Sequence, residues 1–110
     1  MQKLQNKIKL HFKLPIYYNN GKPVEEQKLV DVKNYFIDTY GGLTVDSKSE
    51  GFWNDDGVLF TNQILEYSVF IAKNRFDREV KRIIPKQLEI FRKQFKQIGI
   101  FCYYHPVVST

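Results

Sequence analysis

The stretch of residues 7–16 reads KIKLHFKLPI, and apolar residues alternate in it with polar ones as far as Leu14. A period of two predicts a β-strand that buries one face. Pro15 cannot donate a backbone hydrogen bond, so it marks an edge or the end of this strand. The buried face would consist of Ile8, Leu10, Phe12, Leu14 and Ile16, and the outward face of Lys7, Lys9, His11 and Lys13.

Two segments have the period of an amphipathic helix. The first, residues 24–40, repeats apolar residues every three or four positions, and the following Gly41 and Gly42 are typical of a helix end. The second, residues 77–97, contains Pro85, and two alternatives stay open there. Pro85 either kinks the helix near Ile84 or begins a second helical piece after a short break.

The remaining segments have β-strand or turn character. They are a short strand at 43–45, a polar loop at 46–51, a hairpin turn at 54–57, a long strand at 58–72 with a bulge or break at 61–63, and a last strand at 98–105 that Pro106 ends. Asp and Gly at the centre of the turn are the strongest of these signals.

The order of these elements is β-α-β-β-α-β. Because such crossover connections are right-handed, this order predicts a four-stranded antiparallel sheet with both helices on one face, the ferredoxin-like plait. The first and third strands would be central, and the last strand would lie beside the first. We expect residues 1–110 to form this single α+β domain, since one core is usual for 110 residues.

Three short motifs carry a family resemblance. They are Gly41-Gly42-Leu43-Thr44, then Gly51-Phe52-Trp53, then Asp55-Asp56-Gly57. Together they resemble a set of small uncharacterised bacterial proteins in which Gly-Gly-[Leu/Val]-Thr ends a helix and Gly-x-Trp precedes an acidic-glycine turn. The resemblance implies a ferredoxin-like fold and a cytosolic location, and it implies no activity. The basic helix with Pro85 departs from the pattern.

The net charge of +5 is unevenly distributed. Residues 1–22 contain five lysines and no acidic residue, residues 23–72 contain nine acidic residues against three lysines, and residues 73–97 contain nine basic residues against three acidic ones. A basic excess favours anionic partners such as nucleic acid or nucleotides. The alternative is that the basic second helix is a solvated face that keeps the protein soluble.

The sequence contains no phosphate-binding glycine loop, no H-E-x-x-H and no C-x-x-C, and we expect no cofactor and no metal site. Asp55 and Asp56 would hold a cation with Glu50 or Asp46, but a turn explains them better. Cys102 is expected to be a buried apolar residue. Trp53 either anchors the hairpin on the core or is an exposed contact.

His11 and His105 lie on neighbouring strands of the predicted sheet and could form a metal-binding or proton-transferring pair. The expected register places His11 opposite residues 101–103 and His105 nearer Lys7. We therefore expect no direct contact and interpret both as ordinary surface histidines.

The sheet face away from the helices is the predicted binding face. Alternation places on it Lys9, His11, Lys13, Glu66, Ser68, Phe70, Phe101, Tyr103 and His105. Exposed aromatic rings beside cations suit a protein interface. We therefore interpret the protein as a non-catalytic module that forms a homodimer, or docks a protein partner, through this face.

Two alternatives use the same face. The face would bind single-stranded RNA or a nucleotide together with the basic second helix, although no RNP-type pattern is present. Alternatively the protein would be a small enzyme with His11 as general base and Tyr103 as proton donor.

The expected location is cytoplasmic, with no membrane partner. No apolar stretch approaches the roughly 18 residues that span a bilayer. Residues 1–7 lack the apolar segment of a signal peptide.

Overall fold

The computed structural model describes residues 3–110, apart from the side chain of Ser47. Met1 and Gln2, which belong to the N-terminal segment considered above, lie outside this range. The elements are β1 (Gln5–Pro15), α1 (Glu26–Tyr40), β2 (Thr44–Asp55), β3 (Val58–Ala72), α2 (Lys73–Arg75), a π-helical turn (Phe76–Val80), α3 (Lys81–Gln94) and β4 (Phe101–Ser109).

One antiparallel sheet holds the strands in the order β2-β3-β1-β4. The apolar face of β1 is buried as its alternation predicts, and Leu10 and Phe12 are both fully buried. The ring of Phe12 contacts Phe36 of α1 at 5.1 Å between centroids and Phe91 of α3 at 5.8 Å. Both helices therefore pack on the same face of the sheet, and the core lies between them and β1.

The first helix ends where the sequence predicts. Gly41 adopts a φ of 82°, and its backbone N–H donates to the carbonyl of Ile37. A residue with a side chain rarely adopts this left-handed conformation, which explains why glycine follows Tyr40.

The segment after α1 differs from the prediction. The short strand and polar loop expected at 43–51 form one strand, β2, which pairs with β3 along most of its length. The irregularity expected at 61–63 lies instead in β2, where the register shifts between Val45 and Lys48. Polar residues form a strand here because pairing with β3 satisfies their backbone groups.

Pro85 does not break the second helical region, which is helical without interruption from Lys73 to Gln94. Its irregularity is the π-helical turn Phe76–Val80, which precedes Pro85. Pro85 is exposed, so water can solvate the carbonyl that its missing N–H leaves without a donor. Phe76 and Val80 are buried, and the wider turn places both in the core.

The last strand begins and ends later than predicted. β4 continues through Pro106, which pairs with Ile8 of β1. A proline is tolerated here because β4 is an edge strand, whose outer backbone groups have no neighbouring strand.

These findings correct the predicted ferredoxin-like plait of four strands and two helices. The register shift divides β2 into two paired segments, 44–45 and 48–55, so the sheet contains five paired strand segments. The second helical region consists of three consecutive helical segments. The protein is α+β, and the ferredoxin-like plait predicted from its sequence is wrong.

Within residues 3–110, no helix combines the length and the apolar character that crossing a membrane requires.

Candidate functional site

The predicted binding residues share the sheet face opposite α1 and α3, which we call the open face. His11 lies at the centre of β1, between Ser68 of β3 and Tyr103 of β4. Lys9 lies between Phe70 and His105, and Lys13 lies between Glu66 and Phe101. The pairing of β1 with both neighbours brings these side chains together.

The open face is not evenly exposed. At its centre His11 is only 5% exposed and Ser68 only 1%, whereas Phe70 and Phe101 at its two ends are 51% and 74% exposed. The expected aromatic surface is therefore interrupted by a buried polar centre. Buried polar side chains need hydrogen-bond partners, and the neighbours of His11 supply them.

His11 and Tyr103 both contact the carboxylate of Glu66. Nδ1 of His11 lies 3.2 Å from Oε2 of Glu66, and the Tyr103 hydroxyl donates to Oε1 at 2.6 Å. An ionised carboxylate can only accept, so Nδ1 of His11 carries a proton in this contact. The proton of Tyr103 is likewise directed at Glu66, which argues against Tyr103 as a proton donor to a substrate.

The two histidines are in direct contact, which corrects the sequence prediction. Nε2 of His11 lies 3.0 Å from Nε2 of His105. The register is close to the expected one, since His11 pairs with Tyr103 and His105 pairs with Lys9. The prediction was wrong because diagonal neighbours on one face of an antiparallel pair are close enough for long or aromatic side chains to meet.

Asp46 joins this group from β2. One of its carboxylate oxygens accepts a hydrogen bond from the Ser68 hydroxyl at 3.1 Å. Sequence analysis missed Asp46 at this position because its polar neighbours indicated a loop. We call His11, Asp46, Glu66, Ser68, Tyr103 and His105 the polar cluster.

Opposing effects act on the pKa values of this cluster. Burial alone would raise the pKa of Glu66, but hydrogen bonds from Tyr103 and His11 outweigh it and hold that pKa below its ordinary value. The hydrogen bond to Glu66 raises the pKa of Tyr103 to about 12. Glu66 is therefore charged and Tyr103 neutral near pH 7.

The acidic residues of the hairpin turn have a different role. Asp56 and Gly57 have φ values of 51° and 81°, the left-handed pair that a tight hairpin turn requires. The backbone N–H of Gly57 donates to the side chain of Asn54. The turn alone explains Asp55 and Asp56, and in residues 3–110 the one group of three metal-ligating side chains is His11, Asp46 and Glu66.

A cleft of about 700 Å³ opens beside the polar cluster, between the β2–β3 hairpin and the segment that enters β4. Tyr103 belongs to both the cluster and the cleft wall. Most of the wall is apolar, with contributions from Pro15, Trp53, Ile64, Ile100 and Phe101. Its charged side chains are Lys13 and Glu50.

Trp53 and Cys102 also line this cleft. The indole of Trp53 is half-buried and stacks on Phe60 of the same hairpin, with centroids 5.8 Å apart. Trp53 therefore stiffens the hairpin without reaching the core between sheet and helices. Cys102 is only partly buried, not fully buried as expected, and it packs against the core. This burial raises the pKa of its thiol to about 12.

Comparison with models of protein families finds no match, and searches of curated proteins and of solved structures find none that is significant. The resemblance stated from the three short motifs therefore stays an expectation.

Proposed function

We propose that the protein binds a small anionic molecule with an aromatic body, a class that includes nucleotides, in the cleft beside the polar cluster. The observation that carries this proposal is the cleft itself, about 700 Å³ with mainly apolar walls. Ligand pockets usually have such a volume and such walls, with a few polar groups that orient the ligand.

Aromatic side chains make the cleft suited to a flat ligand. Trp53, Phe101 and Tyr103 line it, and Phe101 is 74% exposed. Aromatic rings stack on one another in offset or edge-to-face arrangements. A ring that enters the cleft would gain these contacts and cover apolar surface that is now exposed to water.

Lys13 supports an anionic rather than a cationic ligand. Its ammonium group lies 5.7 Å from the centre of the Tyr103 ring, at the boundary between the cleft and the polar cluster. Glu50, the other charged side chain of the cleft wall, is exposed. The net charge of +5 also attracts anions.

The test is a fluorescence titration with 8-anilinonaphthalene-1-sulfonate, which is aromatic and anionic. We expect Lys13→Met to weaken binding about fivefold, the value of one partly exposed ion pair. Lys9→Met is the matched control, because Lys9 lies on the same face of β1 outside the cleft wall. Adenosine monophosphate should displace the dye. Absence of dye binding, or equal effects of the two lysine variants, overturns the proposal.

Self-association is a second candidate, favoured by exposed apolar side chains of the hairpin. Phe52, Val58 and Leu59 are 64%, 54% and 66% exposed. Residues 48–61 include no buried side chain, so the hairpin extends beyond the core. Exposed apolar patches of this kind mark protein interfaces. Light scattering tests this candidate: a mass of two chains supports it, and a mass of one chain refutes it.

Phe70→Glu separates self-association through the open face from self-association through the hairpin alone. Phe70 lies on the open face, away from the cleft wall. A dimer that uses the open face becomes a monomer in this variant and keeps dye binding in the cleft. An unchanged dimer assigns the interface to the hairpin.

The other two interpretations stay predictions. Binding of single-stranded RNA requires affinity that falls steeply with salt. Glu66 and Asp46 lie among the lysines of the open face and oppose the approach of a phosphate backbone. Catalysis by His11 and Tyr103 requires a proton on Tyr103 that is free to leave, whereas Tyr103 donates to Glu66.

A further inference from the structure

We propose that His11, Asp46 and Glu66 form a binding site for one divalent transition-metal ion, with Zn²⁺ the ion that suits it best. One ligand atom from each of these side chains lies within 4.8 Å of the other two. The three come from three strands, β1, β2 and β3. This site goes beyond ligand binding in the cleft and does not depend on it.

The spacing of the three atoms is close to that of a coordination sphere. Metal–ligand bonds to imidazole nitrogen and carboxylate oxygen are about 2.0–2.2 Å long, so two ligand atoms of one ion lie no more than about 4.4 Å apart. Nδ1 of His11 and Oε2 of Glu66 already lie 3.2 Å apart. Binding of one ion by all three atoms would require rotations of the Asp46 and Glu66 side chains.

Each proposed ligand has a polar atom that a neighbouring side chain holds. The Tyr103 hydroxyl holds Oε1 of Glu66 at 2.6 Å, and the Ser68 hydroxyl holds Oδ2 of Asp46 at 3.1 Å. The second oxygen of each carboxylate is not bound by these hydroxyls and would ligate the ion. Outer partners of this kind orient the ligands in known metal sites.

His105 has the same role toward His11. Coordination through Nδ1 requires the ring proton of His11 to be on Nε2, where Nε2 of His105 lies 3.0 Å away as an acceptor. His105 would then carry its own proton on Nδ1, which lies 3.4 Å from the carbonyl of Pro106. The stack of Tyr103 on His11, with an interplanar angle of 5°, fixes the ring orientation.

The shape of β2 also fits a site at Asp46. The register shift between Val45 and Lys48 falls at this residue, so β2 bulges where Asp46 binds Ser68 and lies near Glu66. Bulges beside functional sites re-aim a side chain that a regular strand would direct elsewhere.

The donor set favours Zn²⁺ over the abundant alkaline-earth ions. One imidazole nitrogen and two carboxylate oxygens from a partly buried site suit Zn²⁺, which commonly takes three protein ligands and one open position. Ca²⁺ prefers six to eight oxygen ligands, and Mg²⁺ prefers an octahedral set with several waters. We therefore expect Zn²⁺ to bind much more tightly than either.

The test is isothermal titration calorimetry of the EDTA-treated full chain with zinc chloride at pH 7. We expect one ion per chain. Ser68→Ala should weaken affinity about 10–100-fold, the usual effect of an outer partner, and Asp46→Asn should weaken it further. Asp56→Asn in the hairpin turn is the matched control and should leave affinity unchanged. Magnesium chloride should give no comparable heat.

Several outcomes overturn the proposal. One is the absence of zinc binding. Another is binding that survives Asp46→Asn but is lost in His105→Gln, because it would assign the ion to the two facing Nε2 atoms. A third is binding lost in Asp56→Asn. Asp46 is half-buried, so its variant is expected to fold, and circular dichroism verifies this. Dye binding in the cleft should persist in Asp46→Asn, which keeps failure of the metal site distinct from failure of the cleft.

Discussion

The imidazole of His11 lies parallel to the phenol ring of Tyr103, with ring centroids 4.2 Å apart and an interplanar angle of 5°. Each residue also binds one oxygen of the Glu66 carboxylate: His11 binds Oε2 and Tyr103 binds Oε1. A buried histidine on a sheet face without helices is therefore held by stacking on its ring and by a hydrogen bond from its ring nitrogen to a carboxylate. This double support fixes the centre of the open face.

Tyr103→Phe should separate the two forms of support. The variant keeps the stack on His11 and loses the hydrogen bond to Glu66, so we expect the free energy of unfolding to fall by about 1 kcal/mol. Tyr103→Leu loses both, and aromatic pairs contribute roughly 0.5–1.5 kcal/mol beyond burial. Urea denaturation of the two variants measures the difference. Equal losses would show that the stack contributes nothing.

Removal of the buried hydroxyl of Tyr67 should stabilise the protein. Tyr67 is 1% exposed, and within residues 3–110 its hydroxyl has no hydrogen-bond partner. Burying an unpaired hydroxyl is costly, so Tyr67→Phe should raise the free energy of unfolding by about 1 kcal/mol.

Tyr18→Phe is the matched control for this change. The Tyr18 hydroxyl donates to Glu25 and accepts from Lys28, so its removal should lower stability. Urea denaturation compares the two variants, and a loss of stability in Tyr67→Phe would contradict the expectation.

Stability should fall in alkaline solution, and two buried phenols should account for part of this fall. Burial raises the pKa of both Tyr40 and Tyr67 above the ordinary value of 10.0. The unfolded chain therefore loses these protons first, so their contribution is complete below about pH 10 and declines above it. Each phenol accounts for at most about 1.4 kcal/mol per pH unit.

Urea denaturation between pH 8 and pH 11 measures this decline. Tyr67→Phe removes one of the two phenols and should make the decline shallower. A decline that is equally steep in the variant would assign it to other groups.

Much of the secondary structure was predictable because local patterns agree with the fold. The alternation in β1 predicts one strand, and the glycines after Tyr40 predict the end of one helix. Neither prediction requires knowledge of a neighbouring element, and the structure confirms both. The pairing of β2 was not predictable, because its polar residues form a strand only through their partner β3. The predicted helix interruption at Pro85 and the predicted strand end at Pro106 were wrong for a similar reason. A helix tolerates a proline where it is exposed, and a sheet tolerates one on an edge strand, and the sequence shows neither condition directly.

The candidate site was predictable as a face and not as a cluster. The period of two was enough to place His11, Tyr103 and His105 on one face of the sheet. It could not show that His11 is buried or that its ring meets His105, because these depend on side-chain rotation and on the diagonal offset between strands. Asp46 was missed because nothing local in the sequence distinguishes a bulged strand from a polar loop.

Cys102 should react slowly with thiol reagents in the folded protein. Burial raises its pKa to about 12, so very little thiolate is present at pH 7.5. The rate with 5,5′-dithiobis(2-nitrobenzoic acid) should increase by orders of magnitude in urea, where the thiol regains an ordinary pKa near 8.5. Equal rates in the folded and unfolded chains would contradict the burial. A ligand that enters the cleft should slow the reaction further, since Cys102 lines the cleft.

Gly41 and Gly42 are adjacent, but only the first should resist substitution. Gly41 has a φ of 82°, and Gly42 has no such left-handed conformation. An added Cβ meets no atom within 4 Å at either position, so packing does not distinguish them. Gly41→Ala should lower the free energy of unfolding by about 1 kcal/mol through backbone strain alone. Gly42→Ala should be neutral or slightly stabilising, because alanine restricts the unfolded chain. Thermal denaturation of the two variants measures this, and equal effects would contradict the helix end described for α1.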